Sequence, residues 1–175
     1  MNKYVAFLRA INVGGHAIIK MEDLQRMFES FGLEDVQTHI QSGNVIFESK
    51  EKDAALLEKQ IERQLEETAG YKIRLFLRTM REVKSIANQN LYTPKDNETV
   101  HVVFLNKPPD KKMGQALISL KSEADDFTVK GREVYNLRRD RDKSVFSNSF
   151  IEKILKVPAT TRNLTTLRKI ADKYK

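Results

Sequence analysis

Apolar and polar positions along the chain follow two periods, and each change of period marks an element. Residues Tyr4 to Leu8 are an apolar run of strand length that stops at Arg9. Met21, Leu24, Phe28 and Phe31 then recur at helical spacing, with Gly32 placed to end the helix. Val36 to Ile40 and Val45 to Phe47 read as two strands joined through Gln41-Ser42-Gly43-Asn44, a turn-rich tetrad that predicts a hairpin. Asp53 can cap a second helix whose Leu57, Ile61 and Leu65 share one face, and Gly70 closes it. Tyr71, Ile73, Leu75 and Leu77 alternate with Lys72, Arg74, Phe76 and Arg78, the pattern of a half-buried strand.

A capping box follows at Thr79-Met80-Arg81-Glu82, and Val83, Ile86 and Ala87 give the helix it opens an apolar side. The polar stretch from Asn88 to Asn97, broken by Pro94, is the best boundary in the chain. Val100 to Leu105 is a strand of buried character, and Pro108-Pro109-Asp110 leads into a helix carrying Met113, Ala116, Leu117 and Leu120. Strands at Phe127 to Val129 and Val134 to Leu137 flank a Lys130-Gly131 turn. Ser149-Phe150-Ile151-Glu152 reads as another capping box, opening a short helix that Pro158 ends. Leu164, Leu167, Ile170, Ala171 and Tyr174 form the stripe of a final helix, with Asn163 as its natural N-cap.

The first half therefore runs β-α-β-β-α-β, the ferredoxin-like arrangement, and the second half repeats its order as β-α-β-β-α without a visible residue-level repeat. The expected fold is α+β: two ferredoxin-like subdomains with antiparallel sheets covered by helices, over residues 1–88 and 98–175, plus a C-terminal helix.

Composition narrows the function. With no cysteine, the chain has no disulfide framework, thiolate metal site or cysteine nucleophile. Arg9 interrupts the first apolar run too early for a signal-peptide core, and no later run would span a bilayer, so a cytoplasmic location without membrane contact is expected. The net charge of +7 is concentrated at the end: Glu152 to Lys175 holds seven basic residues and two acids. This points to an anionic partner, nucleic acid or a phosphorylated small molecule, or else to a solvated basic face.

Three stretches carry candidate chemistry. In Leu8-Arg9-Ala10-Ile11-Asn12-Val13-Gly14-Gly15, Arg9 and Asn12 are the first side chains able to bond a ligand at the end of the strand. Gly14 and Gly15 permit close approach to the backbone, or simply let the chain turn. Neither a phosphate-binding Gly-Lys-Ser/Thr loop nor a dinucleotide fingerprint is present. Gln41, Ser42 and Asn44 around Gly43 could orient a ligand or satisfy their own hairpin. In Thr160-Thr161-Arg162-Asn163, a guanidinium beside a helix N-terminus suits phosphate or carboxylate; the other reading is a capped turn with an exposed arginine. His16, His39 and His101 lack metal-ligand spacing and a sequence-evident acid partner, so neither metal nor cofactor is expected and no catalytic residue is assigned.

Together, in this order and spacing, these stretches resemble the bacterial family catalogued as domain of unknown function 1697, with its motifs L-R-G-I-N-V-G-G, I-Q-S-G-N-V and T-R-N. The resemblance implies a two-subdomain α+β fold. It also implies functional weight on Arg9, Asn12, Gly14, Gly15, Gln41, Ser42, Gly43, Asn44, Thr161, Arg162 and Asn163. The chain departs from the pattern at Ala10, where glycine is usual, and at Leu164, where an aromatic is frequent.

Three functions fit these residues. The first is a polyanion-binding module, nucleic acid being the leading ligand, with Tyr4-Val5-Ala6-Phe7-Leu8 and Gly43-Asn44-Val45-Ile46-Phe47 faintly echoing RNA-recognition strands. The second is an enzyme whose Arg9 and Arg162 clamp a small phosphorylated or carboxylated substrate while Asn12, Gln41 and Asn44 orient it. The third is a structural or protein-interaction module. The loop after the first strand and the hairpin are expected at opposite ends of their sheet, which counts against one compact site.

Overall fold

The computed structural model describes residues 1–9, 19–39 and 43–175. Among them are eight strands and six helices in two compact units: Met1–Ile86 with Ile170–Lys175, and Ala87–Lys169. No helix among the described residues is long and apolar enough to cross a membrane.

The first unit contains β1 (Asn2–Arg9), α1 (Met21–Ser30), β2 (Glu34–Thr38), β3 (Asn44–Ser49), α2 (Ala54–Ala69), β4 (Arg74–Thr79) and α3 (Met80–Ala87, to Ile86). Its sheet has the order β2-β3-β1-β4, with β1 antiparallel to both β3 and β4. Tyr4, Ala6 and Leu8 point from β1 to the helix side, where Leu24 and Phe28 of α1 and Leu57, Ile61 and Leu65 of α2 cover them. Asp53 caps α2 by accepting from Leu56 N at 3.1 Å, and Gly70 ends it in the left-handed region that glycine adopts without strain. Thr79 and Glu82 form the expected reciprocal box: Glu82 Oε2 accepts from Thr79 N at 2.8 Å, and Thr79 Oγ1 from Glu82 N at 3.2 Å.

The second unit contains β5 (Thr99–Leu105), α4 (Lys111–Ser119), β6 (Asp125–Lys130), β7 (Glu133–Arg138), α5 (Asn148–Leu155), β8 (Ala159–Asn163) and the start of α6 (Leu164–Lys173), with sheet order β6-β7-β5-β8. Val103, Leu105, Val134 and Ala159 face Leu117, Ile151 and Leu155 of its helices. Both units are α+β with four-stranded antiparallel sheets covered by helices.

Five expectations are corrected. First, the loop after β1 and the β2–β3 hairpin lie at the same end of the sheet: Phe7 pairs with Asn44, and Leu8 N donates to Gly43 O at 2.9 Å. The crossover through α1 brings β2 back parallel to β1, so the turn after β2 falls where β1 leaves. Second, β4 is not half-buried, since Phe76 and Arg78 on its supposedly open face are fully buried. Third, Thr160 to Asn163 is not a capped turn but part of an edge strand, paired along β5. Fourth, α5 is capped by Ser147, whose Oγ accepts from Phe150 N at 3.0 Å, which leaves Ser149 inside the helix and its expected box unformed. Fifth, the helix over 111–119 buries Gly114 and Leu117, whereas Ala116 and Leu120 face solvent.

The register also exposes a residue-level repeat. Tyr4-Val5-Ala6-Phe7-Leu8 and His101-Val102-Val103-Phe104-Leu105 occupy matching places in the two sheets. Opposite Val5 stands Arg78, and opposite Val102 stands Arg162. Each arginine donates from Nη1 to the carbonyl of its preceding residue, Leu77 or Thr161, at 2.9 Å. Each is followed by a side chain that caps the next helix, Thr79 in one unit and Asn163 in the other, where Asn163 Oδ1 accepts from Thr165 N at 3.0 Å.

Because these guanidiniums are bonded inside the protein, truncation strands their partners rather than relieving a surface charge. Arg78→Ala and Arg162→Ala are each expected to lower stability by about 2–4 kcal/mol, read from the midpoint of urea unfolding. A shift no larger than that of an exposed arginine would remove both from the scaffold.

Candidate functional site

Residues of one strand alternate between sheet faces, so Val5, Phe7 and Arg9 share the face opposite the α1–α2 core. Arg74, Phe76 and Arg78 of β4 and Asn44 and Ile46 of β3 stand on the same face by register. At the end where β1 leaves the sheet, Arg9 and Arg74 are direct cross-strand neighbours, both partly exposed. Like charges set directly opposite in an antiparallel pair repel, and an anion between them turns that repulsion into binding.

Beside this pair, Gly43, at φ +80°, accepts from Leu8 N, and Asn44, the first residue of β3, stands opposite Phe7. Asn44 is fully buried, and its Nδ2 donates to His39 O at 2.8 Å while His39 N donates to Asn44 O at 3.0 Å. The asparagine therefore ties the stem of its own hairpin. Asn12, Gly14, Gly15, Gln41 and Ser42 lie outside the described residues, as does His16, but the strand ends that lead into their segments meet at this one end. On the helix side of the same end, a groove of about 600 Å³ runs between α1 and the end of α2, lined by Ile19, Asp23, Arg26, Met27, Ser30, Thr68, Ala69 and Tyr71.

Thr161, Arg162 and Asn163 belong to the second unit and bond within it. Thr161 Oγ1 donates to Asn148 Oδ1 at 2.6 Å, joining β8 to α5. Arg162 is only 7% exposed and donates to Thr160 Oγ1 at 3.0 Å as well as to Thr161 O. Burial lowers its pKa to about 10, so the side chain is still a cation at neutral pH. Asn163 holds the N-terminus of α6.

The two units act as controls for each other. At the places of Arg9 and Arg74, the register of the second unit puts Asn106 and Pro158. The connection from β1 to α1 spans residues 10–20, whereas that from β5 to α4 spans only 106–110. The hairpin between His39 and Asn44 is likewise longer than that between Lys130 and Glu133. Loops extended beyond what a connection needs are where binding residues concentrate. Arg74 escaped the sequence reading because it fell in a regular polar alternation; its signal is the cross-strand match to Arg9.

No group of three or more His, Asp or Glu side chains among the described residues is arranged to hold a metal ion. A buried polar cluster does occupy the helix side of the second sheet. Asp125 is fully buried and accepts from Asn136 Nδ2 at 3.1 Å, Ser144 Oγ at 2.8 Å and Val145 N at 3.1 Å. His101, across from Asn136, packs its ring on Phe146 at 5.3 Å.

The chain matches, over residues 1–135, the family described as Protein of unknown function (DUF1697), and it belongs to that family. It is also similar in structure to the conserved bacterial protein SP0830 from Streptococcus pneumoniae, with a TM-score of 0.75 and 23% identity over 98% of this chain and 97% of that one. That likeness is one of fold. No curated protein matches the chain.

Burial, then the neighbouring Arg138, holds the His101 pKa below 6.5, with Asn136 and Asp125 offsetting part of the shift. Below that pH the unfolded chain takes up a proton that the folded one refuses, so His101 costs stability as the solution is acidified toward its folded pKa. The melting temperature is expected to fall between about pH 7.5 and about pH 5.5, and less steeply in His101→Gln. Identical slopes for the two proteins would take His101 out of the acid response.

Proposed function

We propose that this protein binds a small anionic ligand, phosphorylated or carboxylated, at the end of the first sheet where β1 leaves it. The observation that carries this reading is the cross-strand pair Arg9–Arg74, present in one unit and replaced by Asn106 and Pro158 in the other. Two guanidiniums can grip one phosphate or carboxylate with parallel charge-assisted bonds. Gly14 and Gly15 allow close approach of the backbone, and Asn12, Gln41 and Ser42 supply neutral hydrogen bonds that orient the rest of the ligand. Thr161, Arg162 and Asn163 support the fold of the second unit in this reading, because Thr161 Oγ1, Arg162 Nη1 and Asn163 Oδ1 bond inside it.

Nucleic acid is the second reading, and one observation favours it. A groove of about 450 Å³ is lined by Lys3, Arg81, Lys84 and Lys175, with Glu48 and Met80, and its cations suit a phosphodiester backbone. Against it, Tyr4, Phe7 and Phe47 are all buried, so these sheet positions offer no ring on which a base could stack.

The two readings separate in one set of titrations. Inorganic phosphate is expected to bind the wild-type protein, and Arg9→Gln and Arg74→Gln should each weaken it about tenfold or more at unchanged melting temperature. Equal affinity in both variants would refute the arginine clamp. Binding of a single-stranded oligonucleotide that falls linearly with log salt, and that is lost on Arg81→Glu with Lys84→Glu, would replace it with the second reading.

A further inference from the structure

The arginine pair shares its sheet face with one histidine. His39 pairs with Asn44, which pairs in turn with Phe7 of β1, so a single row crosses the sheet just inside Arg9 and Arg74. His39 is bonded to Asn44 from both its backbone N and its backbone O, so the stem of the hairpin moves only as far as His39 moves.

Tyr174 holds that residue from the far end of the sequence. Its Oη lies 3.3 Å from His39 Nδ1 and donates to Thr38 O at 3.5 Å, across 136 residues of chain. The two rings meet edge to face, with centroids 5.6 Å apart at 86°. One hydroxyl thus bridges the side chain of His39 and the backbone of the residue before it. Tyr174 is itself 5% exposed, its N–H is bonded to Ile170 O at 3.0 Å, and Lys3 Nζ donates to the adjacent Lys175 O at 3.2 Å. The terminal segment is therefore docked on the first unit at more than one point.

Internal comparison separates this contact from the shared scaffold. The position of His39 is taken in the second unit by Lys130, whose Nζ donates to Gln89 Oε1 at 3.2 Å. The histidine–tyrosine contact thus belongs to the unit that also has the arginine pair and the longer loops.

We propose that Tyr174 is a positioning residue for the anion site: through His39 it fixes the hairpin stem, and with it Gly43 and Asn44, beside the end of β1 that carries Arg9. The proposal rests on the anion-site reading above. Tyr174 does not touch the ligand; its hydroxyl keeps the rim of the site in one arrangement before the ligand arrives, which lowers the ordering cost of binding.

Two measurements on the full chain test it, using Tyr174→Phe, which keeps the ring and removes the hydroxyl. Without ligand, hydrogen exchange at the Leu8 and His39 amides, which bond to Gly43 O and Asn44 O, should quicken about fivefold, the worth of one hydrogen bond, while amides of the second sheet stay unchanged. With inorganic phosphate as the probe, affinity should fall about fivefold, and the same change made in a His39→Ala background should have no further effect. Unchanged exchange at those two amides overturns the positioning role whatever the ligand result. An equal loss of affinity with and without His39 overturns the route through the histidine. Unaltered affinity in Tyr174→Phe, with loss in Arg9→Gln, overturns the proposal and leaves the anion site standing. Absence of phosphate binding by the wild type overturns the anion site, and the ligand half of this proposal with it.

Discussion

Each unit is built outward from β1 or β5, one of the two strands in its sheet with a partner on both edges. β1 is bonded to β3 and β4, and β5 to β7 and β8, so the side-chain alternation of those two strands decides what every neighbour presents to each face. A slip of one residue would turn Tyr4, Ala6 and Leu8 away from α1 and α2 and point Val5, Phe7 and Arg9 into that core. The turn chemistry guards against this, since Leu8 N–Gly43 O in one unit and Leu105 N–Arg132 O in the other both close at 2.9 Å. The same register delivers Arg78 and Arg162 to matching places, and a buried cation retained twice in one role is a part of the architecture rather than an accident of one sheet.

This duplication explains which parts of the chain were legible as sequence. Helices that bury one stripe and begin on a capping side chain read correctly: Asp53 opens α2, and Thr79 with Glu82 opens α3. Their signals are local and act through their own backbone. The strand β8 was missed because Ala159-Thr160-Thr161-Arg162-Asn163 has no apolar alternation; it is a strand through its pairing with β5, which is a non-local fact. Arg78 was assigned to an open face for a related reason. A charged residue in an alternating run implies solvent only when one face of the sheet is wet, and here Val5, Phe7, Ile46 and Phe76 show that the second face is as dry as the first. The repeat itself was hidden because only three central-strand residues and one arginine are the same in both units, too few to stand out until the register aligns them.

The candidate site was legible in its location and less so in its membership. Arg9 and Gly43 with Asn44 stand out in the sequence, because glycine and uncharged polar side chains at strand ends mark places where the backbone turns or is approached. That the two loops share an end of the sheet follows from the crossover of a βαββ unit, and the expectation that separated them overlooked the direction of β2. Arg74 and Tyr174 had no local signature at all. One became visible through the pairing of β1 with β4, the other through a contact spanning most of the chain.

The comparison between units also limits what the C-terminal motif can mean. Thr161, Arg162 and Asn163 are a recurring triplet by resemblance, yet their places are filled in the first unit by Leu77, Arg78 and Thr79, with the same carbonyl bond and the same capping role. A feature that a fold needs twice is explained by the fold. What needs another explanation is what the first unit has and the second lacks: two arginines opposed across a strand pair, a hairpin longer than its turn requires, and a histidine held by a tyrosine from the end of the chain. None of these departures is called for by the shared architecture of the two units, and all three fall at one end of one sheet. Their coincidence there is the physical reason to look for the ligand at that end rather than along the basic C-terminal segment.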